Sequence, residues 1–299
     1  MLPARLSAFP NARPAVRPPV GWPARLSALA LLPVALGEPA PVSAQVPVSH
    51  CIAIARDTPG VAYLQPAGFR DPLPDYTVRI SYLTHSAFLI QSPGGIGAVT
   101  DYPGWIGSAA YTPDAVTMNH AHSSHFTAFP DPAIPHVLRG WSDTPGQPVD
   151  HLLELGDMLI RNVSTDIRAQ GGVEEDGNSI FIFEVAGLCI AHLGHLHHEP
   201  NDQQYAALGR MDVVMVPVDG GMTLDLDSMS RVVARMRSSV VLPMHWFSTA
   251  SLRLFLERVE GSFAIEVRDD SSLELSLRTL PERPTVVVLR PEPLRDPGE

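Results

Sequence analysis

The chain has 299 residues, of which 45% are hydrophobic and 18% are charged. This composition excludes a wholly disordered chain and is enough for one large domain or two modest ones. Acidic residues outnumber basic residues by 32 to 21, for a net charge of −11, which argues against a nucleic-acid partner. Twelve histidines are present, and their positions carry most of the functional information.

Residues 1–44 have the pattern of a secretory signal peptide. Four arginines accompany a short apolar run at 26–36, and small residues at 42–44 stand where a signal peptidase cleaves. The run is too short to cross a bilayer comfortably, so we expect a periplasmic or secreted protein with no integral membrane segment in its mature chain. A Pro/Ala-rich disordered leader, or a wrongly chosen start codon, is the alternative.

Strand and helix patterns alternate over residues 77–280. Apolar patterns predict strands at 78–82, 87–90, 114–118, 179–185, 188–191, 213–218 and 240–244, and a hairpin within 152–163. Apolar residues at helical spacing predict helices at 229–236 and 252–259. We therefore expect an α/β domain at 77–280, an N-terminal extension at 45–76 and a loose Pro-rich tail at 281–299.

The chain has two cysteines, Cys51 and Cys189. They could pair in an oxidising compartment, or one could be buried and the other free. Because no C-x-x-C motif occurs, the sequence does not support zinc binding by cysteine.

Histidines follow three of the predicted strands. They lie after 114–118, after 188–191 and after 240–244, and comprise His120, His122, His125, His192, His195, His197, His198 and His245. Loops that follow buried strands meet at one edge of a sheet, and imidazole is the commonest metal ligand. The sequence therefore predicts a metal site, with His197 and His198 on a polar loop that faces solvent. His85 could point into the site or be buried in the core.

These motifs resemble the metallo-β-lactamase superfamily, in its branch of lactonase-like and N-acyl-phosphatidylethanolamine phospholipase D-like hydrolases. The resemblance covers about residues 77–265 and rests on Thr84-His85-Ser86, Thr100-Asp101-Tyr102, His120–His125, His192–His198, Pro217–Thr223 and Pro243-Met244-His245. It implies a four-layer αβ/βα sandwich with metal in the cleft between the two sheets.

The resemblance also implies two sets of metal ligands. The first metal would be held by His120, His122 and His192, an arrangement known for catalytic zinc. The second would be held by His125, His245 and two carboxylates, and this chain has Ser124 and His195 in place of those carboxylates. Two divalent ions about 4 Å apart repel by ~16 kcal/mol at an effective dielectric near 20. We therefore expect one zinc ion rather than two, with iron or copper also compatible with imidazole.

The activity implied is hydrolysis of an ester, lactone or phosphoester in a small-molecule substrate by a metal-activated water. Asp219 and His195 are the candidates for the catalytic proton acceptor, and His195 is also a candidate ligand. A non-hydrolytic metal-binding protein, or a redox protein with an all-imidazole site, is the alternative. The sequence gives no prediction of oligomeric state.

Overall fold

A computed structural model describes residues 68–144, 146–169 and 171–296. The predicted signal peptide at 1–44 and most of the 45–76 extension lie outside these residues, so both remain predictions. Cys51 also lies outside them, and its pairing with Cys189 remains a prediction.

The described residues form strands and three short helices. In chain order, the strands are β1 (Val78–Thr84), β2 (Ala87–Gln91), β3 (Gly97–Val99), β4 (Ala115–Met118), β5 (His136–Arg139), β6 (Leu152–Leu155), β7 (Met158–Ala169), β8 (Gly172–Val185), β9 (Leu188–His192), β10 (Val213–Pro217), β11 (Val240–Met244), β12 (Ala264–Val267), β13 (Ser272–Leu275) and β14 (Thr285–Val288). The helices are α1 (Asp202–Leu208), α2 (Leu226–Met236) and α3 (Thr249–Val259). None of these helices is long and apolar enough to cross a membrane.

The strands build two sheets. One has the order β13-β1-β2-β3-β4-β5, and the other has the order β12-β14-β11-β10-β9-β8-β7-β6. Strands β9, β10, β11, β14 and β12 pair in parallel. The histidine-bearing loops that follow β9 and β11 therefore leave from the same edge of their sheet, as expected from the sequence. The third such loop follows β4, which lies in the other sheet, so the expectation of a single sheet edge is wrong for that loop.

Apolar side chains fill the space between the sheets. Ile80, Phe88 and Ile90 of the first sheet share one core with Phe183, Met215 and other residues of the second. The outer face of the second sheet packs against α2 and α3, through residues such as Met229, Val232 and Phe255. The outer face of the first sheet packs under irregular segments that carry Tyr102, Ile106 and Ile134. This α/β sandwich confirms the expected fold class.

The expected loose tail contains a strand. Residues Thr285–Val288 are buried as β14 and pair in parallel with β11 and β12. Val286, Val287 and Val288 are β-branched and favour a strand, but the flanking prolines dominate the local pattern.

Candidate metal centre

Four histidine side chains converge where β1, β4 and β11 end. One ring nitrogen from each of His85, His122, His125 and His245 lies within 4.8 Å of the others. We call these four residues the histidine cluster. In each of them Nε2 is buried and has no hydrogen-bond partner among the described residues. A buried polar atom without a partner costs about 1–3 kcal/mol, so four at one point indicate a site for a ligand that takes nitrogen donors.

The size and chemistry of the histidine cluster fit a metal ion. Nitrogens bound at 2.0–2.1 Å to one ion are at most about 4.2 Å apart, so small ring rotations would close the cluster on a single ion. Burial, and then the neighbouring imidazoles, lower the pKa of His85 to about 3 and that of His122 to about 4. These two rings are therefore neutral near pH 7, which leaves a lone pair on each for a metal.

The backbone is strained where it carries the cluster. His85, Asp101 and His245 have φ angles of 28°, 42° and 59°, a region that non-glycine residues seldom adopt and that concentrates at functional sites. The His245 N–H donates to the His85 carbonyl at 2.8 Å, and the Tyr82 hydroxyl donates to the same carbonyl at 2.6 Å. These bonds join the end of β11 to the end of β1 and hold the two rings together.

Buried carboxylates lie behind two of the rings. His125 Nδ1 is 2.5 Å from Asp101 Oδ2, and Asn119 donates to the other oxygen of Asp101. His245 Nδ1 lies 3.0 Å from Asp219 Oδ2, although at an angle outside hydrogen-bond geometry. Because a carboxylate only accepts, the bond to Asp101 places a proton on His125 Nδ1 and leaves Nε2 to direct its lone pair into the cluster. The nearby charge of Asp219 favours a proton on Nδ1 of His245 in the same way.

Asp219, a candidate proton acceptor from sequence, has both oxygens occupied. Its Oδ1 accepts from the backbone N–H of Gly221, Met222 and Thr223, and its Oδ2 accepts from the Thr223 hydroxyl. Burial alone would raise the pKa of Asp219, but His245 and these hydrogen bonds hold it well below its usual range. The structure thus places Asp219 behind His245, where it orients the ring.

His195 borders the histidine cluster without belonging to the group of four. Its ring centroid is 4.8–4.9 Å from those of His122, His125 and His245, and its Nε2 is buried and unpartnered. Burial, and then the neighbouring imidazoles, lower its pKa to about 2. Its Nδ1 lies 2.7 Å from Nε2 of His197, so another histidine, and not a carboxylate, backs this ring.

The expected solvent exposure of His197 is wrong. The residue is 8% exposed, and its Nδ1 accepts from the Arg168 backbone N–H at 2.6 Å. Burial lowers its pKa to about 4. His198 is half-buried, not solvent-facing. The polar loop composition gave no sign that strand β7 packs over this segment.

Two residues of the expected three-histidine site do not belong to the histidine cluster. His120 Nδ1 is 2.8 Å from Glu174 Oε1, and its ring stacks on Trp141. His192 uses both nitrogens, since its Nε2 donates to the Ser86 carbonyl and its Nδ1 accepts from the Gly194 N–H. The structure therefore brings together His122, which the resemblance assigned to the first metal, and His125 and His245, which it assigned to the second, and completes the group with His85. The signal for His85 was its place at the end of β1 in the Thr84-His85-Ser86 motif.

Phe247 forms an apolar wall beside the cluster. Its ring lies 5.1 Å from that of His85 and 5.3 Å from that of His245, and the residue is 64% exposed. The neighbouring Trp246 instead packs against Tyr82 between the sheets. Phe247 can thus contact a substrate, whereas Trp246 supports the fold.

Comparison with known proteins identifies the family. The sequence profile of the beta-lactamase superfamily domain matches residues 79–245, more than half of the chain. A UPF0173 protein of Pyrococcus furiosus is 23% identical over 56% of this chain and 83% of that protein. A UPF0173 metal-dependent hydrolase of Methanoculleus marisnigri is 24% identical over 60% of this chain and 86% of that protein.

A solved structure supports the same assignment. The Thermotoga maritima protein, described as a proposed Zn-dependent hydrolase of the metallo-β-lactamase superfamily, is 25% identical, and the match covers 71% of this chain and 98% of that one with a TM-score of 0.51. The branch suggested by the motifs remains a prediction. The profile match spans the loops that carry all four residues of the histidine cluster, and the chain belongs to the metallo-β-lactamase superfamily.

Proposed function

We propose that this protein is a metal-dependent hydrolase that holds one divalent ion, zinc in the first instance, in the histidine cluster. The observation that carries the proposal is the set of four buried, unpartnered Nε2 atoms, two of them on rings backed by buried Asp101 and Asp219. The M. marisnigri relative, named a metal-dependent hydrolase, supports the same reaction class.

A bound divalent ion supplies an acidified water and polarises the bond under attack. The residues of this chain would do the rest. Asp101 and Asp219 would keep Nε2 of His125 and His245 available to hold the ion, and the exposed Phe247 ring beside His85 and His245 would contact the substrate. The substrate proposed is a small ester, lactone or phosphoester, the class implied by the resemblance described above.

A single ion is proposed because the group of donors contains no carboxylate. The group of four contains only imidazoles, and Asp101 and Asp219 use their oxygens on other partners. Without a bridging carboxylate, the repulsion of ~16 kcal/mol between two ions about 4 Å apart is not offset. Iron and copper also accept imidazole ligands, so they belong in the test.

The location proposed is periplasmic or secreted, on the strength of the signal-like pattern at 1–44. Intact-mass analysis of the protein from fractionated cells tests it. A mature N-terminus near Gln45 supports export, and a full-length cytosolic chain contradicts it.

The function itself is tested by removing metal with a chelator and restoring zinc, iron, copper or manganese one at a time. The protein is then assayed on a panel of esters, lactones and phosphoesters. We expect turnover that requires metal and reaches its maximum at one ion per chain. His125→Ala should abolish it, whereas His136→Ala, a histidine loss in β5, should not. Stoichiometric metal without turnover on the whole panel would contradict a hydrolase and favour the metal-binding alternative.

A further inference from the structure

We infer that His195 presents an N–H group, not a lone pair, to the histidine cluster, and that His197 fixes it in this state. His195 would then be a hydrogen-bond donor to substrate and not a metal ligand. The tautomer follows from contacts in this chain alone, whereas its use in catalysis rests on the hydrolase proposed above.

The argument begins at a backbone N–H, which can only donate. The Arg168 N–H donates to His197 Nδ1 at 2.6 Å, so that nitrogen carries no proton. A neutral imidazole has one protonated nitrogen, and the proton of His197 therefore lies on Nε2.

The same reasoning extends to the next ring. His197 Nε2–H lies 2.7 Å from His195 Nδ1, so His195 Nδ1 is the acceptor. The proton of a neutral His195 is then on Nε2, the atom that is buried and unpartnered beside the cluster. An Nε2 that carries a proton has no lone pair for a metal.

Arg168 anchors this arrangement from two sides. Its guanidinium donates to the carbonyls of Gly221, Met222 and Thr223, in the loop whose N–H groups bind Asp219. The loop that orients His245 and the backbone group that sets His197 thus belong to one packed unit. This unit fixes the lone pair of His245 on one side of the cluster and the N–H of His195 on the other.

An N–H at this position suits a reaction in which charge develops on oxygen. The resemblance places a metal-bridging carboxylate here, which could only accept a hydrogen bond. His195 reverses that polarity, and a donor aimed at a carbonyl or phosphoryl oxygen stabilises the negative charge that forms during attack. The ligand class that this donor recognises is therefore a substrate oxygen that becomes anionic.

The tautomer is tested directly by two-bond ¹H–¹⁵N NMR of histidine in the metal-free and zinc-loaded protein at neutral pH. We expect His195 and His197 to carry their proton on Nε2, and His125 to carry its proton on Nδ1. Adding zinc should leave the proton on His195 Nε2. A proton on His195 Nδ1, or its loss from Nε2 when zinc binds, would overturn the inference even if no substrate has been found.

Variants test the role of His197 as a positioning residue. His197→Phe removes the donor to His195, so the His195 ring should populate both tautomers, while His197→Gln keeps an N–H and should restore the Nε2 form. Zinc affinity of His195→Ala should stay within about threefold of wild type. A large loss of zinc affinity in His195→Ala, with the fold intact by circular dichroism, would show that His195 is a ligand.

Kinetic measurements on a substrate identified by the panel test the role of His195 as a hydrogen-bond donor to substrate. Removing one oxyanion donor typically lowers kcat by about 10²–10³-fold, so His195→Ala should lose kcat by that factor at saturating zinc. Unchanged kcat would overturn the donor role. If no panel substrate is turned over by wild type, the proposed function fails, and the NMR and zinc-affinity arms still decide the tautomer.

Discussion

The two sides of the histidine cluster use the same side chain for opposite purposes. On one side, Asp101 and Asp219 lie behind His125 and His245 and leave lone pairs facing inward. On the other, His197 lies behind His195 and leaves an N–H facing inward. The comparison shows that the group behind an imidazole decides whether the ring serves as a ligand or as a donor.

Removing one of the rings that a carboxylate orients should have the largest effect on zinc affinity. His125→Ala deletes a nitrogen donor to the metal and leaves the buried Oδ2 of Asp101 without its hydrogen-bond partner, so we expect zinc affinity to fall by more than about 100-fold, beyond the 10–100-fold typical of an outer partner. Chelator competition measures this. His120→Ala is the matched control and should change affinity by less than about threefold, because His120 is bonded to Glu174. A larger loss in His120→Ala would restore the ligand set expected from the sequence.

Neutralising the carboxylate behind His125 should lower zinc affinity by less than removing the His125 ring does. Asp101→Asn keeps the volume but removes the charge that holds the proton on His125 Nδ1. Zinc affinity should fall about 10–100-fold. Glu174→Gln removes a carboxylate from a histidine outside the cluster and should leave affinity unchanged. Equal losses in the two variants would mean that general charge, and not the orientation of His125, controls binding.

The difference between the two sides of the cluster can also be removed by introducing carboxylates on the side of His195. His195→Asp combined with Ser124→Asp places carboxylates at both positions where the resemblance expects them. We predict that the double variant binds a second, weaker zinc ion, counted by elemental analysis after exhaustive dialysis. A stoichiometry that stays at one ion per chain would show that missing carboxylates are not what limits the site to one metal.

The smallest expected effect is on the acid stability of the metal-free protein. His85 and His122 have pKa values of about 3 and 4 in the fold, below the ordinary value near 6.5 that applies when unfolded. Between pH 6.5 and 4 the unfolded state therefore binds more protons, and the free energy of unfolding falls as pH falls. Below pH 4 the lowered pKa values of Asp101 and Asp219 act in the same direction.

Urea unfolding of metal-free protein at pH 7.5, 6 and 5 measures this dependence. The unfolding midpoint should fall mainly between pH 6 and 5. His85→Gln should flatten the curve relative to wild type, whereas His136→Ala should not. A midpoint that is constant from pH 7.5 to 5 would contradict the buried, neutral state of these rings.

The sequence predicted the sandwich and the loops that carry the site, because strand patterns and the His-bearing loops depend on nearby residues, but it placed those loops on one sheet, whereas β4 and β11 belong to different sheets. It did not predict which rings converge. His120 is drawn to Glu174, 54 residues away, and His192 to the Ser86 carbonyl, 106 residues away. Such partners depend on sheet packing and leave no local trace. The same holds for His197, whose partner Arg168 lies on the long hairpin of β7 and β8.

For strand β14 the local sequence did carry a signal, but the prediction was still wrong. Its three valines gave a local strand signal, but the surrounding prolines favoured a loose tail. Parallel pairing with β11 and β12 decides the outcome, because it buries the valines against the second sheet.

A crystal structure of the zinc-loaded protein, with anomalous data at the zinc edge, tests the central claim most directly. The account predicts one anomalous peak per chain, within about 2.0–2.1 Å of a ring nitrogen of His85, His122, His125 and His245, with His195 Nε2 outside bonding distance. Two peaks, or one peak bound by His120, His122 and His192, would contradict it.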